Sequence, residues 1–277
     1  RPPRSTLFPY TTLFRSLSLA LQLPNIVDVH CHTEHAYCAT TADTASCVAL
    51  SQSLGVSTLF VTEHAFQLYF EKNKAMGFKW QSDPHLVEDV WATPERGRMA
   101  AFQRFAQKIR SPFVKTGLEL DLFDNGKLLI APEDQAFDWD ILIGAIHFVQ
   151  DFIPGTTDQK EAERLFMRDV ERITDHDIDV LAHPFRFFKR NRLQTPTHLY
   201  PEVSQILADS GVALEVNFHT HLPDPELIRL CVEKGVKIAL ASDTHELAEA
   251  GEFWPHVNVL RQAGVTPKMF GELLYTP

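Results

Sequence analysis

Seven short apolar runs recur along this chain from position 26 onward, and longer segments with helical spacing lie between them. The runs fall at 26–30, 57–62, 113–120, 141–146, 178–182, 212–217 and 237–242 and are rich in Val, Ile, Leu and Phe. Helical spacing appears near 42–54, 95–110, 158–174, 198–210, 224–234 and 246–263. The 224–234 segment is punctuated at both ends: Asp224 can cap it, Pro225 suits its first turn and Gly235 stops it. Apolar strands separated by helices pair in parallel and are covered on both faces. About seven such units, with no glycine fingerprint for a dinucleotide, favour a closed barrel over a doubly wound sheet. The expected architecture is therefore α/β, a distorted TIM-like (β/α)7 barrel. Chemistry in such a barrel sits at the C-terminal ends of the strands.

The 277 residues, 44% hydrophobic and 22% charged, are enough for one large α/β domain with its own core. The net charge of −10 argues against a general nucleic-acid or anionic-membrane surface, since both need clustered Lys and Arg. The four cysteines, Cys31, Cys38, Cys47 and Cys231, form no C-x-x-C pair. A reducing, cytoplasmic setting fits them best. No run of 18 or more apolar residues is present, so no membrane span is expected. Residues 1–20 read as a non-native or disordered lead, their first sixteen resembling a translated adapter or cloning scar. A single barrel domain is expected over 21–277. The polar, aromatic and aperiodic stretch 66–94 reads as a long excursion over one face, a lid in outline.

The ends of the runs carry the chemistry. The stretch DVHCHTEHAYC at 28–38 packs three histidines and two cysteines into nine positions. His30 and His32 lie on one side of a strand, because side chains alternate with period two, and offer two nitrogen donors to a metal. The second run ends in TEH at 62–64 and the third carries Glu119 in GLELD at 117–121. The fourth ends at His147 and the fifth at His183. The sixth offers Glu215, Asn217, His219 and His221, and the seventh ends in SDTH at 242–245. A single histidine at a strand end is usually a surface or hydrogen-bonded residue. Seven strand ends that all carry His, Asp or Glu are better explained by a multinuclear metal site.

These motifs, DVHCH, TEH, GLE, AIH, AHP and SDTH in this order, resemble the PHP (polymerase and histidinol phosphatase) family over roughly residues 24–265. The TEH form and the EVN at 215–217 are more similar to the histidinol-phosphatase branch. The resemblance implies a distorted barrel holding three divalent ions (Zn, Mn or Fe). It implies that His30, His32, Glu119 and Asp243 hold one ion. Glu119 would bridge to a second ion on His147 and His183, and His64 with His245 would hold the third. The third site takes a further ligand from the loop after the His-x-His pair, and either Cys38 or His35 fills that place. Asp28 and Glu63 are expected as acceptors for imidazole N–H groups beside these ligands.

The resemblance implies a metal-dependent phosphomonoesterase of the histidinol-phosphatase type, using a metal-bridged hydroxide on a small phosphorylated substrate. Two alternatives remain at the level of sequence: a phosphoesterase acting on nucleotides or oligonucleotide ends, and a metal-binding module without turnover. The cationic stretch PFRFFKRNR at 184–192 follows His183 directly. Arg186 is the first candidate for a phosphate contact, with Lys189 beside it. His219, with His221, forms a second His-x-His pair that either lines the mouth of the site or sits on a solvated loop. Metal identity and oligomeric state stay open.

Overall fold

The computed structural model describes residues 25–277, so the expected non-native lead at 1–20 lies outside the described residues. Seven strands form one parallel sheet: β1 Val27–Cys31, β2 Thr58–His64, β3 Val114–Leu120, β4 Ile141–Ala145, β5 Val180–Ala182, β6 Ala213–Val216 and β7 Ile238–Leu240. They pair in chain order, each with the next. The ends of the sheet meet beyond β7, where Asp243 N donates to His30 O at 2.7 Å and His32 N donates to Thr244 O at 3.2 Å. Ser242 N also donates to the Asp28 carboxylate at 2.9 Å across the same seam. The result is the nearly closed TIM-like barrel expected from the alternating pattern.

Six helices of nine residues or more wrap it: α1 Thr44–Ser53, α2 Met99–Ile109, α3 Gln159–Thr174, α4 Tyr200–Ser210, α5 Pro225–Glu233 and α6 Trp254–Gln262. Helix α5 starts as its sequence indicates, with Asp224 accepting from Glu226 N at 2.9 Å. Between β3 and β4 the crossover is a small hairpin and one helical turn, Pro132–Gln135. The barrel interior is narrow because alanines line much of it: Ala145, Ala182, Ala213, Ala239 and Ala241 pack with Val29, Phe60 and Ile143. Larger apolar side chains fill the layer between barrel and helices. The interior is thus a plugged core, and the polar ends of the strands stand above it.

The excursion over 66–94 is a packed helical insert, ordered where its aperiodic sequence marked no helices. It contains the helices Ala65–Tyr69, Lys72–Gly77 and Pro84–Trp91 and a short turn at Lys79–Gln81. Its aromatic residues stack on one another: Trp80 is buried against Phe66 at 5.4 Å and Phe70 at 6.3 Å. The Trp80 indole N–H donates to Ala75 O at 3.1 Å. Aromatic clustering replaces helical spacing here, and for that reason periodicity missed it.

Candidate metal centre

The strand ends bring eight of the expected side chains into one buried cluster. Glu119, at the end of β3 and in register with His64 on β2, sits at its middle. Glu119 Oε2 lies 3.4 Å from His32 Nε2 and 3.6 Å from His30 Nε2, and it also contacts His64 Nδ1. The other oxygen lies 3.1 Å from His183 Nε2 and 3.4 Å from His147 Nε2. Asp243 Oδ1 adds a second anionic point, 3.4 Å from His32 Nε2 and 3.6 Å from His245 Nδ1. His30 and His32 project from one side of β1, with their Nε2 atoms 3.0 Å apart.

Two of these residues have strained backbones. His183 (φ 29°) and Asp243 (φ 50°) occupy the left-handed region, which costs a non-glycine residue energy and is usually held in place by its surroundings. The His183 amide is held by Glu215 Oε2 at 2.9 Å, and that of Asp243 by His30 O.

The charged groups of the cluster shift one another's protonation. Burial alone would lower the His30 imidazole, but Glu119, Glu215 and Asp243 outweigh it and lift its pKa to about 10. Burial and the neighbouring His32 push His64 down to about 4. Burial opposes ionisation of Glu119, yet His147, His64 and His30 hold it well below the usual carboxylate range. Several buried polar atoms have no hydrogen-bond partner: His32 Nδ1, His64 Nδ1, Glu119 Oε2, His183 Nδ1 and Asp243 Oδ1. Native interiors rarely leave such atoms unpaired. Among the described residues, four overlapping groups have their ligand atoms within 4.8 Å of one another: His30, His32 and Glu119; His64, Glu119 and His147; His32, His64 and His245; and His219, His245 and Glu249. Mixed imidazole and carboxylate donors at such spacing suit divalent ions of the zinc, manganese and iron type.

The description of the PHP domain matches residues 28–219, which span the first six strands of the barrel. The chain belongs to the PHP family.

Similar proteins carry the same theme. A probable phosphatase of Clostridium novyi is 26% identical over 243 residues, covering 82% of each chain. A probable histidinol-phosphatase of Deinococcus radiodurans is 25% identical over 189 residues, covering 60% of this chain and 69% of its own. Among solved structures, the histidinol phosphate phosphatase of Lactococcus lactis, complexed with zinc, L-histidinol and phosphate, superposes with a TM-score of 0.52. That superposition covers 87% of this chain and 95% of the other at 15% identity, a likeness of fold.

The remaining expected residues of this PHP centre divide by position. Cys38 lines the same cavity as His64 and His245, and its thiol accepts from Gln67 Nε2 at 3.2 Å. Burial raises that thiol, but His245 and His32 outweigh it and bring its pKa below the ordinary value. His35 turns away toward α2, where its ring packs on Phe105 at 4.4 Å and Phe102 at 5.3 Å. Glu63 lies 3.4 Å from His32 Nδ1 and accepts from Thr33 N and Oγ1 at 2.9 and 2.7 Å. Asp28 contacts no imidazole N–H. It accepts from backbone amides of His30 and Ser242, because it faces the barrel seam.

Arg186 is buried, and its Nη2 donates to Asp243 Oδ2 and to Asn217 Oδ1. Lys189 is exposed and donates to Thr220 O at 2.8 Å. His219 stacks on His245 at 4.1 Å and its Nδ1 lies 2.8 Å from Glu249 Oε1. Three supports complete the cluster, of which Asp121 and Glu249 escaped the sequence reading and Glu215 was offered there without a role. Asp121 contacts His147 Nδ1 at 3.0 Å, Glu215 contacts His30 Nδ1 at 2.6 Å, and Glu249 secures His219. Asp121 was visible as the last residue of GLELD, two places from Glu119 and so on the same side of the strand.

The cluster opens into a cavity of about 380 Å³. Its walls include Phe66, Phe78 and Phe148, with Arg190 and Glu246 among its charged groups. Of the insert's aromatic residues, Tyr69, Phe70 and Trp80 are buried in its core, while Phe66 and Phe78 line this cavity.

Proposed function

We propose that the protein is a metal-dependent phosphomonoesterase, with histidinol phosphate as the leading substrate. The observation that carries the reading is Glu119, one carboxylate whose two oxygens face five imidazoles. A bridging ligand between ions has this placement. We assign His30, His32, Glu119 and Asp243 to one ion, Glu119, His147 and His183 to a second, and His64, His245 and Cys38 to a third. Cys38 is preferred to His35 because it shares a cavity with His64 and His245, whereas the His35 ring packs on phenylalanines. Zinc, manganese or iron fits the donor set, and thiolate at the third position inclines it to zinc.

Bound divalent ions there would neutralise phosphoryl oxygens and acidify a bound water. The protein's own part is orientation. Glu215 fixes the His30 ring and Asp121 the His147 ring, while Glu63 places a carboxylate 3.4 Å from His32 Nδ1. Arg186 restrains Asp243 and lines the same cavity, so it can hold a candidate ligand and present its charge to a phosphate. Arg190, packed over the Phe148 ring at 5.4 Å, lines the cavity as well, and we assign it a second phosphate contact.

The names of the Deinococcus and Clostridium relatives and the ligands of the Lactococcus structure support phosphate ester chemistry on a small substrate. Phe66, Phe78 and Phe148 offer faces for an imidazole, and Glu246 an anion for an ammonium group. The test is a panel of phosphomonoesters offered to metal-loaded protein. We expect kcat/KM for histidinol phosphate to exceed that for nucleoside monophosphates by tenfold or more. The reverse order would move the substrate to nucleotides and keep the metal chemistry.

A further inference from the structure

The loop that follows His32 is tied to the start of the insert by one buried amide. Gln67 is 1% exposed and lies one helical turn beyond His64, in the helix Ala65–Tyr69. The end of β2 thus supplies both a candidate ligand and this side chain. Gln67 Oε1 accepts from Tyr37 N, and Gln67 Nε2 lies 3.2 Å from Cys38 Sγ. Tyr37 N can only donate, which fixes the end of the amide that faces the sulfur. The Gln67 Nε2–H therefore donates to Cys38 Sγ.

Further contacts hold the loop and the amide in place. Arg98 Nη2 donates to His35 O at 3.0 Å and to Gln67 O at 2.7 Å, and its guanidinium lies over the Tyr37 ring at 4.2 Å. The Tyr37 hydroxyl donates to Phe70 O at 3.2 Å. Gln67 also lines the cavity that Cys38 shares with His64 and His245. The chemistry of this support matches the atom it serves. Glu215 and Asp121, beside His30 and His147, are acceptors that suit imidazole N–H groups. A thiolate has no hydrogen to give, and the group beside it is a donor.

We infer that Gln67 is a positioning residue for the third metal position: its N–H aims the Cys38 sulfur, draws off part of its charge, and so sets how firmly a thiophilic divalent ion such as zinc is held there. Hydrogen bonds to a ligating sulfur tune its donor strength. Without this bond the sulfur is more electron-rich, and moving its charge onto an ion takes less energy. The inference rests on the assignment of Cys38 to the third ion. It makes no demand on turnover, so the choice of substrate stays separate from it.

The experiment is cobalt(II) titration of metal-stripped protein, read by the thiolate-to-cobalt absorption in the near ultraviolet. The parent is expected to show this band, and Cys38→Ser to lose it. Gln67→Met should move the band to longer wavelength and weaken the ion that gives it by about tenfold or more, the usual effect of removing a residue that orients a ligand. Gln67→Glu keeps an acceptor for Tyr37 N and should shift the band the same way, which separates lost donation from a disturbed loop. Tyr37→Phe frees the loop from Phe70 O and leaves the N–H on the sulfur, so its band should not move. No band in the parent would remove the Cys38 assignment and this inference together. A band at one wavelength in the parent and both Gln67 variants, or an equal shift in Tyr37→Phe, would overturn the role of Gln67 and leave Cys38 a ligand.

Discussion

Arg186 and Asp243, 57 residues apart in sequence, form a buried ion pair at the edge of the metal centre. One Asp243 oxygen takes the guanidinium and the other faces His32 Nε2 at 3.4 Å. The pair makes a cation that follows β5 hold a candidate ligand from the end of β7. Arg186→Met should therefore reduce metal affinity by about 10–100-fold, the usual effect of removing a residue that orients a ligand. Metal-free protein should also lose stability, because Asp243 is left as a buried charge. Metal titration and unfolding of the variant with and without ions check both; full affinity would show that Asp243 needs no such restraint.

Glu119→Gln keeps the shape and removes the charge that faces five histidines. Elemental analysis should show more than one ion lost per chain, and turnover should fall by more than about 100-fold. Loss of a single ion, with activity kept, would contradict a bridging role.

The two loop candidates separate cleanly. Cys38→Ser should lower the metal content by one ion or weaken the last ion to bind. His35→Leu should leave metal content and turnover alone, since that ring packs on Phe102 and Phe105. The opposite pattern would exchange the two assignments.

The barrel was legible because seven buried strands, each followed by helical spacing, leave few other arrangements. The members of the cluster were legible because each ends a strand, where position on one side follows from the period of two. The partners of those residues were not. Glu215 reaches His30 across 185 residues and Arg186 reaches Asp243 across 57, pairings that only the closed barrel creates. The cationic run at 184–192 read as one patch, yet folding buries Arg186, leaves Lys189 exposed and turns Arg190 to Phe148. One helical turn parts what the sequence joins.

Trp80 anchors the insert between β2 and α2. Trp80→Ala should cost about 3–5 kcal/mol of stability, the range for emptying a buried aromatic site. Phe66 and Phe78 flank Trp80 and also line the cavity, so KM should rise more than kcat falls. Denaturant unfolding and steady-state kinetics on the same variant test both. An unchanged midpoint would mean that the insert does not depend on this ring.

His256 sets an acid limit on stability. Burial pushes its imidazole down to about 4, and Nε2 lies 2.8 Å from Ala241 O. The unfolded chain binds its proton near pH 6.5, so between about 6.5 and 4 the unfolded state holds more proton and stability falls as pH falls. The penalty between pH 7 and 5 is about 2 kcal/mol. His256→Gln should lose that much less stability over this interval than the parent. The active-site histidines titrate in both proteins, so the difference between them isolates His256; identical pH profiles would remove it as a contributor.

The central claim is that the cluster around Glu119 performs phosphomonoester hydrolysis with bound divalent ions. It is tested most directly by phosphate release from histidinol phosphate in three samples: metal-loaded protein, protein stripped by a chelator, and stripped protein reloaded with zinc or manganese. The account predicts release in the first, its loss in the second and its return in the third. Undiminished release after stripping, with the ions confirmed gone, would contradict it.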